Sequence, residues 1–304
     1  MNIYDLIIIG AGPAGITAAV YAARKKMSFL MLSKDIGGQA AWSGDIENYT
    51  GYQFISGPEL VHKFEEHMRT YGIEVKEGEE IIDIRSSGGA FTVQAQKSVW
   101  QSRSLIICSG KRSRELGVPG EREFRNHGLT YCATCDGPLF PGKDVAVIGG
   151  GNSALDAALQ MMRIARKVYL VNNTAGLGGD DVMREKVSQS PVVSVINNAR
   201  VISVQGEKMV SRLVIGHEGK ERLLDVQGVF VEIGLIPNSE FIPGIKKNER
   251  GEIIVDKHNQ TNIPGIFAAG DVTDVPEKQI IIAAGEGSKA CLSVFRYLAQ
   301  QPFS

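Results

Sequence analysis

Two short apolar runs, each ending in a glycine-rich turn and followed by a helix of small residues, constrain this chain more than any other feature. Residues 5–9 lead into Gly10-Ala11-Gly12-Pro13-Ala14-Gly15, and Val145-Ala146-Val147-Ile148 leads into Gly149-Gly150-Gly151-Asn152-Ser153-Ala154. Apolar runs of that length bounded by glycine read as strands buried on both faces. In such a turn the first glycine permits the tight bend and the second lets backbone approach a pyrophosphate. The third lets helix pack closely on strand, and the helix start aims free N–H groups at the phosphates. A lone turn can serve packing only, but residues 16–25 and 28–33 complete one strand-helix-strand unit. Residues 154–164 and 167–171 complete a second, in which Ala154 is a permitted replacement for the third glycine. The strand at 28–33 lacks the usual terminal acid for a ribose, although Asp35 follows closely. The expected fold is therefore α/β, with two Rossmann-like domains and two dinucleotides.

The remaining segments fit around these units. Pro58 opens a helix expected to end near Gly72, with Leu60, Phe64, Met68 and Tyr71 as its core stripe and His62 and His67 on the solvated flank. Residues 73–108 read as short antiparallel strands inserted between the units, the last an apolar strand running into Ser109-Gly110. A charged, turn-rich stretch at 111–120 reads as a linker. Short strands are expected at 192–196, 201–204, 209–215, 223–226 and 228–234. Residues 265–271 bring an apolar strand to Gly270-Asp271, and a last helix is expected over 281–299.

Charge is nearly balanced, with 33 basic and 34 acidic residues, which argues against nucleic acid or an anionic membrane as partner. No run approaches the ~18 apolar residues of a spanning helix. The N-terminal residues carry no basic leader, so no signal peptide is expected. Four cysteines and no export signal suggest a reducing cytoplasm, where a Cys-x-x-Cys is more often catalytic than structural.

That motif is Cys132-Ala133-Thr134-Cys135, followed by Asp136. Two cysteines at this spacing can close a reversible disulfide, and a helix starting after the first would lower its thiol pKa from ~8.5. Half of a zinc site is the rival, but no further ligand pair stands at comparable spacing. Two buried small residues is the plainest alternative. A redox pair is the reading adopted, and no metal site is expected. Cys108 and Cys291 are isolated and read as packing residues.

Taken together, the first glycine turn, Gly38-Gln39, Cys132 to Gly137, the second glycine turn and Gly270-Asp271 resemble the low-molecular-weight thioredoxin reductases over nearly the whole chain. The tail, Lys278-Gln279-Ile280-Ile281 with Gly285-Glu286-Gly287, is also similar to the flavoprotein component of alkyl hydroperoxide reductase, without its N-terminal thioredoxin-like domains. The resemblance implies an FAD domain at 1–113 and 242–304, an inserted nicotinamide-type domain at 114–241, and a homodimer whose domains rotate. It implies FAD held by Gly10, Gly12, Pro13, Ala14, Gly15, Gly38, Gln39, Asn48, Gly270, Asp271, Lys278, Gln279 and Ile280. It implies a nicotinamide nucleotide at Gly149, Gly151, Asn152, Ser153, Ala154 and Asn172. Cys135 would be the sulfur next to the flavin, Cys132 the thiol that attacks thioredoxin or a similar disulfide protein, and Asp136 the acid that protonates the leaving group. From residues alone, Asp136 equally well starts an Asx turn at Asp136-Gly137-Pro138.

The sequence departs from that family after the second unit's second strand. NADPH-using members carry a His-Arg-Arg run there, whereas this chain reads Val171-Asn172-Asn173-Thr174-Ala175-Gly176-Leu177. A 2′-phosphate without cationic partners loses charge-assisted hydrogen bonds worth ~1.5–3 kcal/mol each, so NADPH is disfavoured. NADH, with Asn172 or Asn173 at the ribose, is the better nucleotide, and reduced ferredoxin is an alternative donor. Rival functions are an FAD-dependent dithiol oxidase using oxygen, a peroxiredoxin-linked NADH-dependent disulfide reductase, and a nucleotide-sensing scaffold that has lost turnover.

Overall fold

A computed structural model of the chain describes residues 3–42, 45–46, 48–87 and 89–301; the side chains of Trp42, Asp45, Ser87 and Cys135 also lie outside that description. The chain divides into two compact units, Met1–Arg112 with Ile236–Ser304, and Ser113–Leu235. The return crossing falls before residue 242 because the segment after Ile236 is tied to the first unit. Asn238 N–H donates to the Gly110 carbonyl at 2.9 Å, and the Ser109 hydroxyl donates to the Asn238 carbonyl at 2.5 Å.

In the first unit, five strands form a parallel sheet in the order Ile266–Ala268, Leu105–Ile107, Leu6–Ala11, Phe29–Ile36, Val75–Glu77. The uninterrupted apolar runs have a direct explanation in the packing of both faces. Ile8, Met31, Ile106 and Phe267 lie in register across the sheet and pack with residues of helices Pro13–Arg24 and Ile280–Ala299. Ile7, Ile9, Leu30, Leu32, Leu105 and Ile107 pack on the opposite side with Ile84, Phe91 and Val93. Those last residues lie on strands Ile81–Ser87 and Ala90–Ala95, which pair antiparallel, with Val99–Ser102 adding a third antiparallel strand. The expectation of an all-antiparallel insertion over 73–108 is corrected at both ends, since Val75–Glu77 and Leu105–Ile107 join the parallel sheet, and Ile3–Tyr4 adds a parallel strand to the insertion. Short strands at an edge or centre of a parallel sheet carry no alternation to distinguish them.

Helix Gly57–Thr70 is set by a capping box, in which Ser56 and Glu59 satisfy each other's backbone N–H. Leu60 and Met68 are buried as the stripe requires, whereas Tyr71 is exposed at the helix end.

The second unit repeats the plan. Its parallel sheet runs Leu129–Thr130, Gly228–Val231, Asp144–Ile148, Lys167–Val171, Val193–Ile196. Val145, Val147, Val168, Leu170 and Phe230 pack with helix residues Leu155, Ala158, Met161 and Val187. Ala146, Ile148, Val171, Val229 and Val231 face Val204, Leu213, Ile215 and Leu224 of a three-stranded antiparallel sheet. Helix Asp181–Ser188, capped by the Asp180 carboxylate, was not anticipated from the sequence. No helix among the described residues is long and apolar enough to cross a membrane.

Candidate functional site

In the first unit the glycine turn, Cys108-Ser109-Gly110 and Gly270-Asp271 all follow parallel strands, so they share the carboxyl edge of one sheet. The chain reverses its strand order beside Leu6–Ala11, the place where open α/β sheets bind ligands. The three glycines of the turn have different jobs. A Cβ on Gly10 would lie 2.3 Å from the Cys108 carbonyl oxygen, and one on Gly15 would lie 1.8 Å from the Gly10 carbonyl oxygen. Those two are glycine for packing. A Cβ on Gly12 would meet only the Gly37 carbonyl oxygen, at 3.9 Å. Gly12 is also the N-cap of helix Pro13–Arg24 and offers no side chain to its first N–H groups. An unobstructed glycine before open helix amides is shaped for a pyrophosphate. Pro13 opens the helix, and Ala14 and Gly15 are buried in it. Ser33 holds the turn, accepting the Ala11 N–H at 3.0 Å and donating to the Asp35 carbonyl at 2.6 Å.

The C-terminal helix Ile280–Ala299 is built into the same edge. A Cβ on Gly270 would lie 3.0 Å from the Ala14 Cβ, and one on Gly287 only 2.0 Å from the Ala14 carbonyl oxygen. Gln279 is its N-cap without a side-chain bond to the helix amides; its Oε1 instead accepts from Asn48 Nδ2 at 3.0 Å. Gln39, in the short helix Gly38–Trp42, donates from Nε2 to the Lys111 carbonyl at 2.8 Å. Burial raises the Asp271 carboxyl, while Lys278 and Lys111 pull it back. The Lys278 ammonium is lowered, chiefly by burial. An open phosphate cradle, a carboxylate for ribitol hydroxyls and a cation at a bare helix start fit FAD.

In the second unit Gly149 occupies the left-handed region at φ 138°. A Cβ there would lie 2.2 Å from the Glu232 carbonyl oxygen, whereas one on Gly151 would meet nothing within 4 Å. Gly151 caps helix Asn152–Met161 without a side-chain bond, so the second cradle is as open as the first. Ser153 is exposed on it, and Ala154 is buried. Asn152 is committed to the following loop, its Oδ1 accepting the Asp180 N–H at 2.8 Å.

Asn172 requires a correction. It is 2% exposed, with Nδ2 donating to the carbonyls of Thr174 and Gly176 and to Asn197 Oδ1, and Oδ1 accepting the Thr174 hydroxyl at 3.0 Å. Its amide staples the loop from beneath and is not offered to a ribose. The first cation after this loop in sequence is Arg184, which the sequence reading missed by stopping at Leu177; it donates to the Leu177 carbonyl and is paired with Asp181.

Cys132 is disulfide-bonded, while Cys108 and Cys291 are free and buried. The side chain of Cys135 lies outside the described residues. Cys132 stands directly before the one-turn helix Ala133–Asp136, and its N–H is held by the Thr130 hydroxyl at 3.1 Å. The Thr134 hydroxyl donates to Gln160 Oε1 at 3.0 Å, and Gln160 Nε2 donates to Asp156. The motif is thereby tied to helix Asn152–Met161, which starts at the second glycine turn. Upstream, the buried Glu121 carboxylate takes the N–H groups of Leu116 and Gly117 and the Tyr131 hydroxyl. Asp136 makes no side-chain cap to the turn Gly137–Leu139, so the Asx-turn alternative is not realised.

Glu232 is a group the sequence did not flag. It follows strand Gly228–Val231, and its carboxyl accepts the N–H of Ala133, the residue after Cys132. Burial pushes that carboxyl up to about 7, with Asp156 adding to the rise and the Ala133 N–H opposing it. Among the described residues no cluster of His, Cys, Asp and Glu could hold a metal ion.

The family model for pyridine nucleotide-disulphide oxidoreductases matches residues 4–287. The chain is 40% identical over 306 aligned residues to a protein named NADH dehydrogenase from Bacillus subtilis, covering 97% of this chain and 58% of that one. It is 41% identical over 303 residues to the F component of alkyl hydroperoxide reductase from Pseudomonas aeruginosa, again covering 97% and 58%. The chain thus spans under two thirds of the length of these curated relatives. The crystal structure of Lactococcus lactis thioredoxin reductase superimposes with a TM-score of 0.83 at 34% identity, covering 98% of this chain and all of that one.

Proposed function

Because the chain belongs to the pyridine nucleotide-disulphide oxidoreductases and has the fold of their thioredoxin reductase-type flavoproteins, we propose that it reduces the disulfide of thioredoxin or a similar small protein. The observation that carries this reading is the disulfide at Cys132, set before a helix turn that is tied to the second nucleotide cradle. In this reading the first unit holds FAD at Gly10, Gly12, Gly38, Gln39, Asn48, Gly270, Asp271 and the start of the C-terminal helix. FAD supplies the two-electron chemistry that side chains lack.

The chain's own groups do the rest. Cys132 pairs with Cys135, a pairing supported by the count of four cysteines, two of them free. Once reduced, Cys132 attacks the partner's disulfide as a thiolate. Asp136, whose carboxyl caps no turn, gives the leaving thiolate its proton. Cys135 then closes the internal disulfide and releases the reduced partner.

The donor follows from the loop after Val171. With Arg184 already bound to Asp181 and the Leu177 carbonyl, a 2′-phosphate finds no uncommitted cation between Val171 and Leu177. NADH is the nucleotide this loop favours, with Gly149, Gly151 and Ser153 supplying the cradle. Ribose contacts fall to groups other than the Asn172 amide. Reduced ferredoxin is the donor if neither nucleotide serves. The enzyme works as a homodimer in a reducing cytoplasm.

Parallel anaerobic titration of the visible flavin band with NADH, NADPH and reduced ferredoxin, followed by addition of oxidised thioredoxin, tests this. Bleaching by NADH ahead of NADPH and its reversal by thioredoxin are expected. Faster bleaching by NADPH overturns the donor argument, and oxygen-dependent peroxide formation from dithiols without a donor favours the oxidase.

A further inference from the structure

Beside the flavin cradle Lys278 belongs to a charge cluster whose other members, Lys111 and Glu252, the functional reading does not use. Lys111 Nζ and Lys278 Nζ both bind the same oxygen, Glu252 Oε1, at 2.7 and 3.2 Å. The Glu252 side chain is 6% exposed and that of Lys111 is 10% exposed. The second carboxylate oxygen takes Asn248 Nδ2 at 2.6 Å. Lys278 also donates to the Thr273 carbonyl, and Lys111 carries on its backbone the bond from Gln39. Burial alone would raise the Glu252 carboxyl, but the hydrogen bonds from Lys111, Asn248 and Lys278 outweigh it and hold it down at about 2.

One ammonium suffices to pair a carboxylate, and bringing a second to the same buried oxygen costs like-charge repulsion and desolvation. The arrangement leaves one positive charge in excess of Glu252. It sits just past Gly110, three residues beyond strand Leu105–Ile107, and where the C-terminal helix starts, so the charge adds to the positive end of that helix. Both lysines also act on Asp271. With Asp271 ionised, Lys111, Lys278, Glu252 and Asp271 sum to zero charge, so loss of either lysine leaves this edge net negative.

We propose that Lys111 is a positioning residue of the flavin site that, sharing Glu252 with Lys278, raises the reduction potential of the bound flavin. The inference rests on the FAD reading above. Uptake of two electrons and one proton by oxidised flavin adds one negative charge, and each cation retained at this edge favours that product over the neutral oxidised form. A unit charge acting over any distance up to roughly 10 Å at an effective dielectric near 20 shifts such an equilibrium about tenfold or more.

The test is the midpoint potential of purified, flavin-loaded protein, read anaerobically against a reference dye. Lys111→Met is expected to lower the ratio of reduced to oxidised flavin at fixed potential at least tenfold, which is about 30 mV for a two-electron couple. Lys111→Arg is expected to stay within threefold of the parent. Glu252→Gln removes the shared negative charge and is expected to move the ratio the opposite way. A Lys111→Met protein that keeps FAD with a ratio within threefold of the parent overturns the proposal. Should that variant not fold, Glu252→Gln decides alone: a raised ratio supports the proposal and an unchanged or lowered one overturns it. A parent that binds no flavin overturns the FAD reading as well, so the two failures are told apart.

Discussion

Replacing Glu232 with glutamine should stabilise the protein at alkaline pH and leave it unchanged in acid. The Glu232 carboxyl is pushed from its ordinary 4.5 up to about 7 by burial, and its charged form is further disfavoured by Asp156. The folded state therefore keeps a proton that the unfolded chain has already lost. Stability falls as pH rises from the ordinary value to the folded one, and the full cost is present above about 7. At 1.36 kcal/mol per unit the shift amounts to about 3 kcal/mol. Glutamine keeps an oxygen for the Ala133 N–H but never ionises, so it removes the cost. Urea unfolding of parent and variant at about pH 8 should show the variant more stable by up to ~3 kcal/mol, with the gap closing near pH 4. An equal gap at both values, or none at pH 8, refutes the reasoning. Ionised Glu232 also sets a negative charge beside Ala133, the residue that follows Cys132.

Two further substitutions separate roles that look alike in sequence. Gly15→Ala drives a methyl to 1.8 Å from the Gly10 carbonyl oxygen and should cost at least the upper end of the ~1–3 kcal/mol typical of overpacking, seen as a lowered denaturant midpoint. Gly12→Ala has room and should leave that midpoint in place while the purified protein loses FAD; retained flavin would mean that no pyrophosphate approaches Gly12. Asp136→Asn should slow thiol-disulfide exchange ~10²–10⁴-fold with flavin reduction unchanged, measured by stopped flow, and equal exchange rates across pH would remove Asp136 from the chemistry.

Both strand-turn-helix units were legible because their glycine patterns are local: the positions that clash with a carbonyl and the one that stays open lie within six residues of each other. The three-layer packing was not, since the side of the sheet that Ile7 or Ile8 faces depends on strands far along the chain. The same limit explains the site. The Cys132-x-x-Cys135 spacing is visible in the sequence, whereas Glu232 reaches Ala133 only through the pairing of Gly228–Val231 with its neighbours. Glu252 meets Lys111 across 141 positions, with no motif to announce it. Asn172 was misjudged because its residue type suits a ribose and a loop staple equally, and only its burial separates the two. Helix Asp181–Ser188 escaped because its first turn is acidic and polar, with a single fully buried side chain, Val187.

The central claim is that flavin and the Cys132 disulfide form one electron path, and an anaerobic reductive titration that counts electrons tests it most directly. The parent should take up one electron pair for the flavin and a second for the disulfide before the visible band is fully bleached, whereas Cys132→Ser should take up only the first and reduce no partner disulfide. A parent bleached after a single pair, or a Cys132→Ser protein that still turns over thioredoxin, would contradict the account.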